Sequence, residues 1–427
     1  MPGAETSRSF ARLFRSWNTD AEDDSLNKDI VDILRAIRTH LGMDVAFVSE
    51  FSEGRRVFRF VDSAPDVDVV SVGASDPLDE SYCQRILDGR LPELIVEAAS
   101  LAAAREIPAT LSLPVGAHLS VPIKLRDGRI FGTFCCFSFL PNHTLNERDL
   151  NMMRVFADLA AERIESAIAR QSQRRGIHAR IDEALRHDLL SIVYQPIYDL
   201  ALRKATGYEA LSRFSTDPYR SPDVWFSEAA QVGRGYELES RALRLALSGL
   251  DRCSAGEYIS VNMSPGYILT QDLECLFAGA SFERVVLEIT EHISIEDYRR
   301  LAERIGPLRK KGMRIAVDDA GAGYASFRHI LNLEPDVIKL DASITHDIDK
   351  DFSRRALAIA FISFAQATHC EIIAEGVETE AQFEALQRLG VNRIQGYYIG
   401  EPRALEGAAC LRSDTTLSGR TSLTPQR

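Results

Sequence analysis

The sequence lacks an excess of positive charge, a long apolar run and an N-terminal export signal. It has 427 residues with 50 basic and 62 acidic side chains, and the net charge of −12 argues against binding to a nucleic acid polymer or to anionic lipid. No apolar run approaches the roughly 20 residues that span a bilayer. Arg8, Arg12 and Arg15 interrupt the apolar residues where a signal peptide would need them. We therefore expect a cytoplasmic protein without a transmembrane segment.

Several chemical motifs are also missing. The seven cysteines are an odd number without CxxC spacing, which predicts reduced thiols and disfavours a structural zinc site. There is no GxxxxGK[ST] phosphate loop and no stretch typical of a dinucleotide cyclase. His187-Asp188 stands without the further histidines that a histidine-aspartate hydrolase would need.

The composition is that of a globular protein with more than one domain. Hydrophobic residues make up 45% of the chain, which is enough for sizeable cores, and the length allows two to four domains at about 100–200 residues each. Residues 1–25 have apolar side chains at helical spacing, and we expect a short amphipathic helix that docks on its own domain or on a second subunit, with a membrane surface as the alternative. Residues 413–427 contain seven serines and threonines and are predicted to be a disordered tail.

Residues 26–168 predict an α+β domain around an antiparallel sheet. We expect a helix to about residue 41, strands at 45–51 and 56–61, an irregular stretch with helical pieces, strands near 118–125 and 129–139, and a helix from about residue 146. Asp127-Gly128 separates the last two strands, and these residue types accept the positive φ angles of a tight hairpin.

The runs GAHLSVPIKLRDGRIFGTFCCFS and NERDLNMMRVFADLAAERIESA resemble parts of a GAF sensory domain that covers residues 26–168. The resemblance implies a sensor of a small molecule, a chromophore or redox state, or a dimerisation module. Cys83 resembles an attachment thiol and His118 a haem ligand, but these residue types belong more often to a core or a surface. No ligand is therefore assigned to this domain. Its closing helix either pairs with its counterpart in a dimer or packs on its own sheet.

A connector is expected at residues 169–178, where the run ARQSQRRG is basic and polar, and a second domain at 179–412. Strand-like runs alternate there with helical ones, which favours a parallel, barrel-like α/β domain. The strands are expected at 192–198, 205–211, 258–263, 285–289, 314–317, 337–340, 372–374 and 393–397.

Seven of these strands end in polar residues. The polar residues are Glu209, Asn262, Glu288, Asp318 with Asp319, Lys339, Glu375 and Gln395. A barrel brings all such ends onto one face, where the five carboxylates would repel one another unless divalent cations neutralised them. Because these positions hold oxygen donors and neither histidine nor cysteine, we expect Mg²⁺ or Mn²⁺ and not zinc.

The adjacent Asp318 and Asp319 are the most specific local signal. Adjacent residues of a regular strand point to opposite faces, so both can face one cluster only if the strand breaks there. Gly321 and Gly323 permit such a break. The run VDDAGAG therefore predicts a strand that opens into a loop, with one carboxylate placed to bridge two metal ions.

The runs YQPIYDL, YEALSRF, SVNMS, LEITE, VDDAGAGYASF, IKLD, AEGVE and QGYYIG occur in order on successive strands. They resemble the EAL family of cyclic di-GMP phosphodiesterases over about residues 180–405. The resemblance implies a modified TIM (β/α)8 barrel that hydrolyses one phosphodiester bond of cyclic di-GMP to linear pGpG with two Mg²⁺ or Mn²⁺ ions. It also implies a homodimer.

The same resemblance implies a role for each motif residue. Glu209, Asn262, Glu288 and Asp318 would hold the first metal, and Asp318 with Asp319 would serve the second. Glu375 would bind the second metal or act as general base, and Lys339 would hold the attacking water, which makes Glu209, Asp318, Asp319, Lys339 and Glu375 the catalytic set. Gln195 and Arg213 would contact the substrate, Gln395 would complete that side of the site by hydrogen bonding, and Glu291 would anchor the loop after the aspartates.

The sequence departs from the family in that loop. Ala320 and Ala322 stand where the family usually has phenylalanine and threonine, and losing an aromatic ring and a hydroxyl would loosen the loop. The main hypothesis is a sensor-regulated cyclic di-GMP hydrolase. One alternative is a non-catalytic cyclic di-GMP receptor that signals through a partner, and another is a barrel metallohydrolase that acts on a different phosphodiester.

Overall fold

A computed structural model describes residues 21–289, 297–321 and 325–405 of the chain. The predicted helix before residue 20, the predicted tail at 413–427, Glu291 and Ala322 lie outside the described residues. The backbone divides into two compact units, with the division between Arg175 and Gly176. In the described ranges, no helix has both the length and the apolar character that crossing a membrane requires.

The first unit contains a six-stranded antiparallel sheet with the order β3-β2-β1-β6-β5-β4. Its strands are β1 (Val45–Ser52), β2 (Arg55–Ser63), β3 (Ser75–Pro77), β4 (Leu94–Ile95), β5 (Ala117–Lys124) and β6 (Ile130–Ser138). Its α-helices are α1 (Ala21–Leu41), α2 (Tyr82–Leu87), α3 (Ala102–Arg105) and α4 (Pro108–Ser112), and 3-10 turns occur at Leu78–Glu80 and Ala98–Ser100. Helix α5 (Glu147–Arg186) begins in this unit and continues past the division after Arg175. The predicted α+β architecture is confirmed.

The two faces of this sheet bury two separate apolar clusters, because alternate residues of a strand point to opposite sides. On β1, Ala46 and Val48 pack in a cluster with residues of α1 and α5. Val45 and Phe47 pack on the other face, in a cluster that includes residues of α2. The apolar side of α5 is buried against its own sheet, as shown by Met153 in the first of these clusters.

The second unit is a closed eight-stranded barrel with the order β10-β11-β12-β13-β14-β7-β8-β9. Its strands are β7 (Leu190–Asp199), β8 (Lys204–Phe214), β9 (Tyr258–Asn262), β10 (Val285–Ile289), β11 (Arg314–Ala320), β12 (Val337–Leu340), β13 (Glu371–Ala374) and β14 (Arg393–Ile394). Strand β7 is antiparallel to both neighbours, and the remaining pairs are parallel. The predicted modified (β/α)8 barrel is therefore confirmed.

The helices of the second unit lie between successive strands along the chain. They are α6 (Pro222–Gln231), α7 (Gly235–Leu247), α8 (Pro265–Thr270), α9 (Leu273–Leu276), α10 (Tyr298–Lys310), α11 (Ala325–Leu333), α12 (Ala342–Thr345), α13 (Phe352–Thr368) and α14 (Glu380–Leu389), with 3-10 turns at Ser248–Arg252 and Phe282–Arg284. Helix α6 contributes Trp225 and Ala229 to a separate cluster. The apolar faces of α7 to α14 share one large buried cluster with outward-facing strand residues such as Leu287, Ile315 and Ile338. This cluster holds the strands in place from outside.

Some strand limits differ from the predicted ones. Strand β8 continues to Phe214, three residues beyond the predicted end, because it forms an antiparallel hairpin with β7 that extends past the other strands. Glu209 therefore lies inside a strand and not at its end. The last strand is only Arg393–Ile394, and the short edge strands β3 and β4 had no predicted counterpart.

An apolar layer inside the barrel lies directly below the polar residues. The layer consists of Ile197, Tyr258, Val286, Ala316, Val337 and Ile373. Since residues two apart share a face of a strand, the side chains two positions after Val286, Ala316 and Val337 also point into the barrel. Those side chains are Glu288, Asp318 and Lys339.

Gly207 makes room in this layer for the ring of Tyr258. A Cβ atom at Gly207 would lie 2.4 Å from Cζ of that ring. The ring has little freedom to move, because the guanidinium of Arg314 lies 4.4 Å from its centroid and that of Arg393 lies 5.7 Å from it. A side chain at position 207 would therefore strain the layer that supports the polar residues.

We expect Gly207→Ala to lower the free energy of unfolding by about 1–3 kcal/mol through overpacking. The matched control is Gly306→Ala in the interior of α10, where a Cβ atom would meet no heavy atom within 4 Å and the added helix propensity should stabilise by about 0.5–1 kcal/mol. Denaturant unfolding of the full chain measures both. Equal stability of Gly207→Ala and the parent would show that the Tyr258 ring moves aside.

Candidate metal centre

A single buried lysine lies at the centre of the polar residues at the mouth of the barrel. The Nζ atom of Lys339 lies 2.7 Å from Oε1 of Glu375 and 2.9 Å from both Oε2 of Glu288 and Oδ1 of Asp318. Glu209 is the fourth partner, with its Oε2 atom 3.4 Å away. The lysine is fully buried, so these carboxylates supply the counter-charge that such a cation requires.

Amide side chains hold the carboxylate of Glu209 from both sides. Asn262 donates from Nδ2 to Oε1 at 3.1 Å, and Gln395 donates from Nε2 to Oε2 at 2.5 Å. The same amide of Gln395 donates to Oε1 of Gln195 at 3.0 Å, and Gln195 donates to the carbonyl of Gly400 at 3.2 Å. This chain of hydrogen bonds fixes the orientation of Glu209.

Two residues that the sequence did not single out support the site. The hydroxyl of Ser260 donates to Oε1 of Glu288, and that of Thr345 donates to the backbone carbonyl of Glu375. Ser260 precedes Asn262 by two residues on β9, so strand alternation could have identified it. Thr345 comes from the short helix α12, and its contact with Glu375 depends on tertiary packing that carries no local signal.

The strand changes conformation at the paired aspartates. Pairing of β11 with β12 shifts register between Val317 and Ala320, and Asp319 has a left-handed φ of 53°. Gly321 follows with a φ of 106°, and a Cβ atom there would lie 2.2 Å from Cδ1 of Ile344. The irregularity lets the carboxylates of Asp318 and Asp319 both approach that of Glu375, as the sequence predicted.

The site has more negative than positive side chains. Burial and the nearby charges of other carboxylates hold the pKa of Glu288 and that of Glu375 well above the usual value, despite the attraction of Lys339. Burial alone would also raise the pKa of Glu209, but Lys339 and the hydrogen bonds from Gln395 and Asn262 lower it. Burial disfavours the charged lysine, yet the surrounding carboxylates hold the pKa of Lys339 well above its usual value.

The donor set fits two divalent cations. One group of three close carboxylates contains Glu209, Glu288 and Asp318, and a second contains Asp318, Asp319 and Glu375. In each group the oxygens lie within 4.8 Å of one another, and Asp318 belongs to both. Such all-oxygen groups suit hard cations, and a shared carboxylate is what two neighbouring ions require.

Two further sequence candidates are Arg213 and Glu291. Arg213 is four residues after Glu209 on β8 and so shares its face of the strand. It is half-buried and donates from Nη1 to the carbonyl of Ser212 at 2.8 Å. Glu291 lies outside the described residues, so its predicted contact with the loop stays a prediction.

Comparison with known families agrees with both units. The EAL domain family model matches residues 178–402, and the GAF domain family model matches residues 28–165. In a solved structure described as the EAL enzyme Bd1971 with cAMP and cyclic di-GMP bound, the match covers 85% of this chain and 91% of that one, with a TM-score of 0.53 and 18% identity. This likeness shows a shared fold.

Two proteins of Escherichia coli strain K12 are similar in sequence. The probable cyclic di-GMP phosphodiesterase PdeD is 30% identical over 226 residues, which are 49% of this chain and 41% of that protein. The probable cyclic di-GMP phosphodiesterase PdeA is 32% identical over 236 residues, which are 53% of this chain and 32% of that protein. The chain thus spans less than half the length of these relatives.

We expect Lys339→Met to destabilise the metal-free protein by about 3–5 kcal/mol, because it leaves several buried carboxylates without a cation. Added Mn²⁺ should raise the melting temperature of this variant more than that of the parent. Lys311→Met is the control, since Lys311 is a partly exposed lysine paired with Glu274 and should cost at most about 1 kcal/mol. A metal-free Lys339→Met variant as stable as the parent would contradict this account.

Proposed function

Because this chain belongs to the EAL domain family, we propose that it is a sensor-regulated phosphodiesterase that hydrolyses cyclic di-GMP to linear pGpG. The observation that carries the proposal is the pair of three-carboxylate groups that share Asp318 at the mouth of the barrel. Such a site suits two-metal hydrolysis of a phosphodiester. The names of the E. coli relatives point to the same substrate.

Two Mg²⁺ or Mn²⁺ ions are part of the proposal. Glu209, Asn262, Glu288 and Asp318 would hold one ion, and Asp318, Asp319 and Glu375 would hold the other. When bound, the ions would activate water and stabilise the charge that develops on the phosphate and the leaving oxygen. Excess negative charge among these carboxylates supports this assignment, because divalent cations would remove it.

Lys339 and Glu375 would carry the proton chemistry. The ammonium of Lys339 lies 2.7 Å from the carboxylate of Glu375, so a water held by one would also be in reach of the other. Glu375 would take the proton from that water, since its carboxylate oxygen lies within hydrogen-bonding distance of the ammonium that holds the water. Lys339 would keep the water in position.

The substrate would lie over Gln195, Arg213 and Gln395. Gln395 and Gln195 are already hydrogen-bonded to one another beside Glu209, which orders this side of the site. Arg213 uses Nη1 for a backbone carbonyl, and its remaining donors suit a phosphate oxygen pair. Glu291 would anchor the loop after the aspartates, as the resemblance implies.

The N-terminal unit would act as the sensor. Its match to the GAF domain family covers residues 28–165, within the proposed domain limits of 26–168, and the proposed hydrolase domain is 179–412 with a connector at 169–178. A cytoplasmic homodimer is part of the same proposal. The ligand of the GAF domain is left unassigned.

The second candidate function is a cyclic di-GMP receptor that binds without cleaving. It is favoured by Ala320, which replaces the aromatic residue that the family usually has directly after the aspartates. Ala320 is fully buried and follows the left-handed Asp319, so a change there acts on the position of both aspartates. Hydrolysis assays decide between the two functions.

We expect the full chain with Mg²⁺ or Mn²⁺ to convert cyclic di-GMP to pGpG, and Glu209→Ala to lower the rate at least about 100-fold. Mutating a residue that only orients a metal ligand typically costs about 10–100-fold in metal affinity or activity. Removing a ligand itself should cost at least as much. The control is Glu384→Ala, which removes an exposed glutamate paired with Arg388. Chromatography of the products measures the rate. An unchanged rate in Glu209→Ala would contradict the site, and binding without turnover by the parent would establish the receptor.

We expect Arg213→Ala to weaken binding of cyclic di-GMP about 10–100-fold, because a charge-assisted hydrogen bond contributes about 1.5–3 kcal/mol. Binding of Mn²⁺ should stay unchanged, which separates a substrate contact from a metal ligand. Arg241→Ala, at a partly exposed arginine paired with Asp188, is the matched control. Isothermal titration measures both ligands, and unchanged affinity for cyclic di-GMP would remove Arg213 from the proposed site.

A further inference from the structure

The first unit contains two cysteines in contact inside its core. Sγ of Cys83, at the start of α2, lies 3.5 Å from Sγ of Cys135 on β6. Both side chains are fully buried. The two sulfurs need to approach by only about 1.5 Å to reach the length of a disulfide bond.

A buried arginine makes the two sulfurs unequal. Nη1 of Arg56 donates to Sγ of Cys83 at 3.3 Å, and Nε of the same guanidinium donates to Oδ1 of Asp76 at 2.9 Å. Phe47 and Phe58 flank the guanidinium, with ring centroids 5.5 Å and 4.7 Å from Cζ. A cation held in this way favours the thiolate form of Cys83.

Cys135 has the environment of a neutral thiol. Its Sγ lies 3.1 Å from Oγ1 of Thr133 and 3.1 Å from the hydroxyl of Ser120. Burial and the neighbouring Cys83 hold the pKa of Cys135 well above its usual value. Burial also acts against the thiolate of Cys83, but the hydrogen bond from Cys135 and the charge of Arg56 lower the pKa of Cys83 below its usual value.

The arrangement suits an oxidation-sensitive pair better than a metal site. The guanidinium beside Cys83 would repel a metal cation, and among the described residues the two sulfurs belong to no group of three close metal-binding side chains. Cys83 lies in the six-residue helix α2, and Asp76, which holds Arg56, is partly exposed. A short element of this kind can open locally and admit a small oxidant.

We propose that Cys83 and Cys135 form a dithiol that hydrogen peroxide converts to a disulfide. The thiolate of Cys83 attacks one oxygen of the peroxide, the O–O bond breaks, and the products are a sulfenic acid and, after protonation, water. The sulfur of Cys135 then attacks that of Cys83, the S–O bond breaks, and a second water leaves with the thiol proton. In total the two sulfurs lose two electrons and the peroxide gains them.

The test is peroxide treatment of the reduced full chain, followed by alkylation in denaturant and peptide mass spectrometry. We expect a peptide in which Cys83 and Cys135 are linked, while Cys136 remains alkylated as a free thiol. Cys136 is the matched control because it is adjacent on β6 and equally buried but packs on the opposite face of the sheet. Oxidation of Cys136 together with the pair would indicate unfolding and would overturn the proposal, as would an unlinked pair.

Two variants test the separate roles of the two cysteines and of the arginine. In Cys135→Ser, Cys83 should stop at the sulfenic acid, which dimedone traps. In Arg56→Gln, loss of the guanidinium should raise the pKa of Cys83 above neutral pH and slow disulfide formation about tenfold or more, since each unit by which the pKa exceeds the pH lowers the thiolate fraction about tenfold. Continued protection of Cys136 reports an intact fold. Unchanged oxidation in Arg56→Gln, or a missing dimedone adduct in Cys135→Ser, would contradict the assigned order of attack. These readouts do not involve cyclic di-GMP, so the result is independent of the proposed hydrolase activity.

Discussion

The charge balance around Lys339 is the constraint on which the mouth of the barrel depends. Five carboxylates lie close together at the mouth of the barrel, and one buried ammonium contacts four of them. Such a group of anions is stable only with a cation at its centre, since the low dielectric of the interior strengthens the repulsion. The ammonium supplies one positive charge for five carboxylates, and burial, followed by the charges of neighbouring carboxylates, raises the pKa of Glu288 and that of Glu375 despite it.

The barrel produces this arrangement by strand alternation. Inward-facing apolar residues such as Val286, Ala316 and Val337 fill one layer, and the next inward position on each strand carries a polar group. Because the layer below is apolar and buried, a substrate and metal ions would reach the polar groups from the mouth of the barrel. The packing of the apolar layer therefore affects the positions of the polar side chains, because the same strands carry both.

Much of the barrel and of its polar strand ends could be predicted from the sequence, because apolar runs and the polar residues that follow them are local, periodic signals. Successive apolar runs ending in Glu288, Asp318 and Glu375 predicted these strands and the meeting of their polar ends, since parallel strands in a barrel expose their ends on one face. Other features depend on contacts across the fold. The antiparallel entry strand β7, the extension of β8 past Glu209, and the contact of Thr345 with Glu375 arise from tertiary pairing. No local pattern reports these features.

Each unit buries a cation beside an anion, although the two units differ in fold. In each unit a fully or almost fully buried cation is held by acidic groups and in turn favours an anion that burial alone would suppress. Lys339 does this for carboxylates, and Arg56 does it for the thiol of Cys83. The two units differ in how the charge of the anion can be neutralised. Carboxylates can exchange an ammonium contact for divalent ions, whereas a thiolate beside a fixed guanidinium can lose its charge by oxidation. Burial of a cation beside an anion therefore suits metal-dependent chemistry in one unit and redox chemistry in the other.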